Sequence, residues 1–185
     1  MTEEIIGNAR LAMEKSIKAL QNDYSTVRTG RASAKNLEHI SIEYYGVSTP
    51  ITQVAAVKTP EAHLLLIEPW DKSLVSDIEK AIIQSDLGIT PNNDGASIRL
   101  PFPAPTEERR RELVKQCSKY AEEAKVSVRN ARRDANSKLE KACKASEITE
   151  DDERVAKGKV QKLTDEFIAK IDKAFSDKEA EVMEI

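Results

Sequence analysis

The sequence predicts an α+β protein: a long antiparallel three-helix bundle with a small α/β unit inserted between its first and second helices. Three observations predict it. Apolar residues near both ends of the chain recur at helical spacing. From about Ala32 to Pro103 the pattern breaks into short apolar runs punctuated by Gly and Pro. The 185 residues are 33% charged, 39% hydrophobic and only 4% aromatic, the lean composition of long exposed helices.

The first helix spans about Thr2 to Val27, because Ile6, Ala9, Met13, Ile17, Leu20 and Tyr24 form one stripe. Thr29-Gly30 interrupts it. In the inserted segment, Ile40, Ile42 and Tyr44 alternate with polar residues as in a half-buried strand that Gly46 closes. Val54-Ala55-Ala56-Val57 and Leu64-Leu65-Leu66-Ile67 are expected as buried strands. Asp71 or Ser73 caps a helix through Leu74, Ile78, Ala81 and Ile82, ending near Leu87-Gly88. Pro91 to Gly95 is a turn, and Ser97 to Phe102 a last strand.

Pro101, Pro103 and Pro105 forbid helix, and Thr106 with Glu107 and Glu108 starts one: an N-cap followed by acids that suit the helix dipole. That helix runs to about Lys144. After a break near Ser146, the last helix runs from Thr149 to about Met183. The bundle is therefore residues 1–30 and 106–185, and the inserted domain 31–105. The chain crosses between them at Thr29-Gly30-Arg31 and at Pro103-Ala104-Pro105-Thr106. Glycine frees the first crossing and proline stiffens the second.

The helical stripes repeat every eleven residues. Leu113, Ala124 and Ala135 are one such series; Cys117, Val128 and Leu139 are another. Val160, Leu163, Phe167, Ile171, Ala174, Val182 and Ile185 keep the register in the last helix, with Lys178 its one polar member. Eleven residues in three turns is ~3.67 per turn, near that of an unstrained helix, so the bundle is a straight rod.

The net charge of -3 argues against uniform binding to nucleic acid or membrane, but it hides a division. Residues 106–144 carry 12 basic and 7 acidic groups, and residues 145–185 carry 7 and 12. A helix winding with the eleven-residue repeat puts Arg110 and Arg132 at one angle, with Lys125 and Arg129 on the same side and Arg133 further round. Arg110, Lys125, Arg129 and Arg132 form a basic ridge beside the core stripe. Arginine forks suit phosphate, and A-form RNA is recognised through backbone and shape. The competing account is a passive helical scaffold whose acidic last helix neutralises the basic one. Stacking aromatics are absent from Lys125 to Lys144, which disfavours single strands.

Other classes fall away. No apolar run is long enough to span a membrane, and the acidic start is unlike a secretory or transit signal. Cys117 and Cys143 on one helix would stand ~39 Å apart, so no disulfide joins them and a reduced, cytoplasmic protein is expected. His39, on a strand edge, and His63, in a turn, are expected to be structural. Trp70 is expected as a core anchor. Glu150 to Glu153 lacks the pattern of a calcium loop. With no phosphate loop, nucleophile elbow or metal motif, neither an enzyme nor a bound cofactor or metal is expected.

Arg28-Thr29-Gly30-Arg31-Ala32-Ser33, Glu43-Tyr44-Tyr45-Gly46 with Thr49-Pro50, Ser85-Asp86-Leu87-Gly88, Thr106-Glu107-Glu108-Arg109-Arg110, Val128 to Asp134 and Gln161 to Asp165 resemble, in order and spacing, the bacterial ribosome recycling factor family. One departure is Gly158, where the family usually carries a charge. The resemblance implies an L-shaped, hinged, monomeric protein with an inserted β/α/β domain. It implies binding between the ribosomal subunits after termination, and their separation with elongation factor G and its GTP to release messenger and tRNA. It also implies that Arg110, Arg129 and Arg132, joined by Arg28, contact large-subunit ribosomal RNA; Lys125 is expected to join them as a member of the same ridge. The hinge it implies comprises Thr29, Gly30, Pro103, Ala104, Pro105 and Thr106, and Arg31, the last residue of the first crossing, is expected to belong to it.

Overall fold

A computed structural model describes residues 1–184. In chain order the elements are α1 (Thr2–Thr26), β1 (Ser41–Tyr44), β2 (Val47–Pro50), α2 (Ile51–Val54), β3 (Ala55–Glu61), β4 (Leu64–Pro69), α3 (Val75–Gln84), β5 (Asn92–Asn93), β6 (Ile98–Pro101), α4 (Glu107–Lys144) and α5 (Glu150–Met183). They divide into two compact units, Met1–Thr29 with Glu107–Glu184, and Gly30–Thr106.

The first unit is an antiparallel three-helix bundle. Tyr24 reaches Cys117 and Ser16 reaches Ser127, so α1 and α4 run in opposite directions. Lys125 with Asp172 and Lys157 with Glu140 set the same relation between α4 and α5. The eleven-residue series are buried: Leu113, Ala124, Ala135, Cys117, Val128 and Leu139 on α4, and Val160, Ile171 and Val182 on α5. Ile185 lies outside the described residues. On α4 the stripe is broader than one row. Ala121 is buried while Tyr120 and Ala131 are only partly so, because the helix packs against both α1 and α5. Lys178 fits the stripe by bending its ammonium out to Glu181, 3.2 Å away.

The turn between α4 and α5 is a Schellman ending. The Glu147 N–H bonds to the Ala142 carbonyl and the Ser146 N–H to that of Cys143, with Ser146 at φ 58. Thr149 then caps α5: its hydroxyl accepts from the Asp152 N–H, and the Asp152 carboxylate accepts from the Thr149 N–H.

The inserted unit holds a β1–β2 hairpin and an antiparallel sheet of order β3-β4-β6-β5. Leu65, Ile67, Ile98 and Leu100 from the sheet are buried with Ile78 and Ile82 of α3 and with Leu37, Ile51 and Phe102.

Several expectations need correction here. β2 was not anticipated: Tyr45 and Gly46, at φ 49 and 78, form a two-residue turn of the left-handed kind, and the polar strand after it carries no apolar pattern. Val54 closes the short α2 rather than opening a strand. His39 lies in a turn, not on a strand edge, because Ser33 and Asn36 cap a 3-10 turn over Ala34–Leu37 just before it. Asp71 does cap, but it caps a 3-10 turn, and α3 ends at Gln84 rather than near Gly88. Trp70 is 71% exposed and not a core anchor: Leu65, Ile67 and Pro69 take the inward positions of β4, so the next residue faces out.

Candidate nucleic-acid interface

The basic ridge is built on α4, a helix of 38 residues and therefore ~57 Å long. Arg110, Lys125, Arg129 and Arg132 are all partly buried, while Arg133 is exposed. Partial burial is what the flank of a core stripe requires: aliphatic stems lie along the apolar seam and charged ends reach water. The ridge borders α5, because Lys125 and Arg132 both find partners on that helix.

Those partners differ in kind. The Lys125 ammonium lies 2.7 Å from Asp172 and 3.2 Å from Glu122, with its side chain 18% exposed. The hydrogen bond to Asp172 pushes its pKa above the usual lysine value despite burial. This cation is neutralised within the bundle. Arg132 instead donates through Nη1 to the amide oxygen of Gln161 at 3.2 Å, which leaves its charge intact. Arg129 has no hydrogen-bond or ion-pair partner among the described residues. The Nε of Arg110 is buried and unpaired, a state that costs about 1–3 kcal/mol. Arg109 and Arg111, by contrast, pair with Glu112 and Glu107 on their own helix.

Arg28 stands just past α1, exposed and without an ion-pair partner among the described residues. The antiparallel register set by Tyr24 and Cys117 puts it level with about the second turn of α4, one turn from Arg110. The ridge is thus three arginines with uncompensated charge and one lysine that already has carboxylates, and Arg28 adds a fourth uncompensated arginine from the end of α1.

Within the inserted unit, the segments that begin and end it meet. Gly30 has φ +75, and a Cβ there would lie 2.9 Å from Cδ of Pro105 and 3.1 Å from the Pro103 carbonyl oxygen. The turn between β3 and β4 clips both segments. His63 Nδ1 donates to the Gly30 carbonyl at 2.8 Å, and the His63 carbonyl accepts from the Phe102 N–H at 2.7 Å. Ala32 N–H bonds to the Ala62 carbonyl beside them. His63 was expected to be structural from its isolation in sequence. What the sequence did not disclose is that it joins both segments, because its partners lie 33 and 39 positions away.

A depression of 690 Å³ at the far end of the α4–α5 pair is lined by Glu140, Cys143, Glu153, Arg154 and Lys157 among others. Its thiol is poorly disposed to act as a nucleophile. The hydrogen bond to Glu153 pushes the Cys143 pKa up, and burial adds to it. Burial does the same at Cys117. Among the described residues no cluster of His, Cys, Asp and Glu is arranged to hold a metal, and no helix is long and apolar enough to cross a membrane.

Comparison with known proteins gives one consistent result. The family model described as ribosome recycling factor matches residues 20–183. The chain is 55% identical to the ribosome-recycling factor of Geobacillus thermodenitrificans and 52% identical to that of Bacillus subtilis, each over the full length of both chains. Its fold is similar to a solution structure of a ribosome recycling factor, with a TM-score of 0.75 and 40% identity, covering 100% of this chain and 98% of that one. It is also similar, at TM-score 0.63 and 41% identity over 99% of both chains, to the Thermus thermophilus factor in a model with Escherichia coli elongation factor G bound to the E. coli post-termination complex. Factors of this kind are non-enzymatic translation factors, in keeping with a site made of cations and not of acids, bases or nucleophiles. From sequence motifs, helical architecture and full-length identity alike, the chain belongs to the ribosome recycling factor family.

Proposed function

We propose that this protein binds the post-termination ribosome in the cytoplasm and, with elongation factor G and GTP, separates the subunits so that messenger and tRNA are released. In this reading Arg28, Arg110, Arg129 and Arg132 hold the large-subunit RNA, with Lys125 in a lesser part. The observation that carries it is the uncompensated charge of Arg110, Arg129 and Arg132 along one long helix, with Arg28 beside it. Arginine forks spread from Arg110 to Arg132, ~33 Å of helix, match a rigid phosphate backbone, and in water-excluded contact each contributes a charge-assisted hydrogen bond.

The mechanism is mechanical. The bundle, residues 1–30 and 106–185, is the anchored rod, and the inserted domain, residues 31–105, receives the push of elongation factor G. The crossings Thr29–Arg31 and Pro103–Thr106 act as the hinge that turns the push into strain on the contacts bridging the subunits. GTP is consumed by the partner, so the factor itself needs no nucleotide site; it works as a monomer in this reading. Close packing of α1, α4 and α5 makes the rod stiff enough to transmit displacement.

The test is light scattering of post-termination ribosomes mixed with the protein, elongation factor G and GTP. Splitting that needs all three components is the expected result. Absence of splitting, together with absence of co-sedimentation with ribosomes, would favour the passive helical scaffold instead.

A further inference from the structure

Gln161 of α5 faces the ridge and joins two groups of opposite charge. Its Nε2 donates to the Asp165 carboxylate at 2.8 Å, and its Oε1 accepts from Arg132 Nη1 at 3.2 Å. The first bond decides the second. A carboxylate accepts only, so it fixes the NH₂ end of the amide toward Asp165 and leaves the oxygen toward the guanidinium. Asp165 is one helical turn further along α5 and, among the described residues, forms no ion pair with Arg132. The arginine is therefore aimed by a neutral acceptor and its charge is left unbalanced, whereas the charge of Lys125 on the same ridge is balanced by two carboxylates.

We infer that Gln161 is a positioning residue: locked by Asp165, it orients the Arg132 guanidinium toward an RNA phosphate without neutralising it. This rests on the reading of Arg132 as an RNA contact. Two features follow from the chemistry. A residue of the same length without an acceptor leaves Arg132 charged but unaimed. A carboxylate at position 161 competes with the phosphate for the guanidinium and repels Asp165 one turn away.

The experiment measures binding of full-length protein to purified large ribosomal subunits over a salt series, with thermal melting as a folding control. The variants are Gln161→Met, Gln161→Glu, Arg132→Ala and the double variant Arg132→Ala with Gln161→Met. Gln161→Met is expected to weaken binding about threefold and Gln161→Glu about tenfold, the second with a salt slope lower by roughly 0.7–0.9, the loss of one phosphate contact. In the Arg132→Ala background, Gln161→Met should have no further effect, because coupled residues are not additive. If Arg132→Ala itself binds as wild type, the anchor reading fails and this inference goes with it. If Arg132→Ala weakens binding but both Gln161 variants match wild type, the positioning role is overturned and the anchor stands. Equal weakening by Gln161→Met in both backgrounds would likewise overturn it, since a purely structural residue acts without Arg132.

Discussion

A Cβ on Gly30 would lie 2.9 Å from Cδ of Pro105, so the segments that open and close the inserted unit touch only because position 30 has no side chain. Gly30→Ala should therefore destabilise the inserted unit by roughly 1–3 kcal/mol, the sum of a left-handed backbone and a crowded proline. Gly88 supplies the control. It has φ +65 with nothing within 4 Å of its Cβ, so Gly88→Ala should cost only the conformational part, about 1–2 kcal/mol. Urea titration of both variants checks the difference; equal losses would show that the Pro105 contact is easily relieved.

Gly158 is the opposite case. It lies inside α5, exposed, and a Cβ there meets nothing within 4 Å. Gly158→Ala should stabilise the bundle by about 1 kcal/mol, the difference in helix propensity. Chemical denaturation measures it, and a loss of stability would show that glycine serves some local need in α5.

Tyr24 donates its hydroxyl to the Cys117 carbonyl at 3.1 Å, and burial pushes its pKa up to about 12. Burial favours the protonated form, so between pH 10 and 12 the native state keeps a proton that the unfolded state loses. Stability from this group is whole below about pH 10 and is lost as pH rises toward 12. Tyr24→Phe should lower stability at neutral pH by about 1 kcal/mol. Denaturation midpoints from pH 8 to 12 should then fall less steeply in the variant than in the wild type; parallel curves would refute the assignment.

The ridge makes a ranked prediction. Lys125 is already paired with Asp172 and Glu122, while Arg129 has no partner among the described residues. Arg129→Ala should weaken large-subunit binding by roughly tenfold, in the range of a hydrogen bond to a charged group. Lys125→Ala should weaken it less and should lower bundle stability more, because it removes a side chain that is only 18% exposed, with the packing of its aliphatic stem. Sedimentation binding and thermal melting of the two variants read the two halves; the reverse ranking would count against charge compensation as the deciding factor.

The bundle was legible because burial and periodicity are the same fact on a long helix. Cys117, Val128 and Leu139 are eleven apart in sequence and fully buried in the fold. Helix starts were legible where caps use ordinary chemistry, as at Thr149 with Asp152. The hairpin turn at Tyr45-Gly46 was hidden because a tyrosine occupies a left-handed position that usually signals itself with Asn or Asp. The flank of α4 could be unrolled from spacing alone, but not the partners each cation meets. That Asp172 compensates Lys125 and Gln161 merely aims Arg132 depends on the register between α4 and α5, which no local pattern encodes.

The central claim is that the arginine ridge holds ribosomal RNA through its phosphates. It is tested most directly by the salt dependence of binding to purified large subunits, comparing wild type with the Arg110→Ala, Arg129→Ala, Arg132→Ala triple variant. The account predicts weaker binding and a slope of log affinity against log salt that is shallower by roughly 0.7–0.9 for each arginine removed. Unchanged affinity with an unchanged slope, in a variant that melts like the wild type, would contradict it.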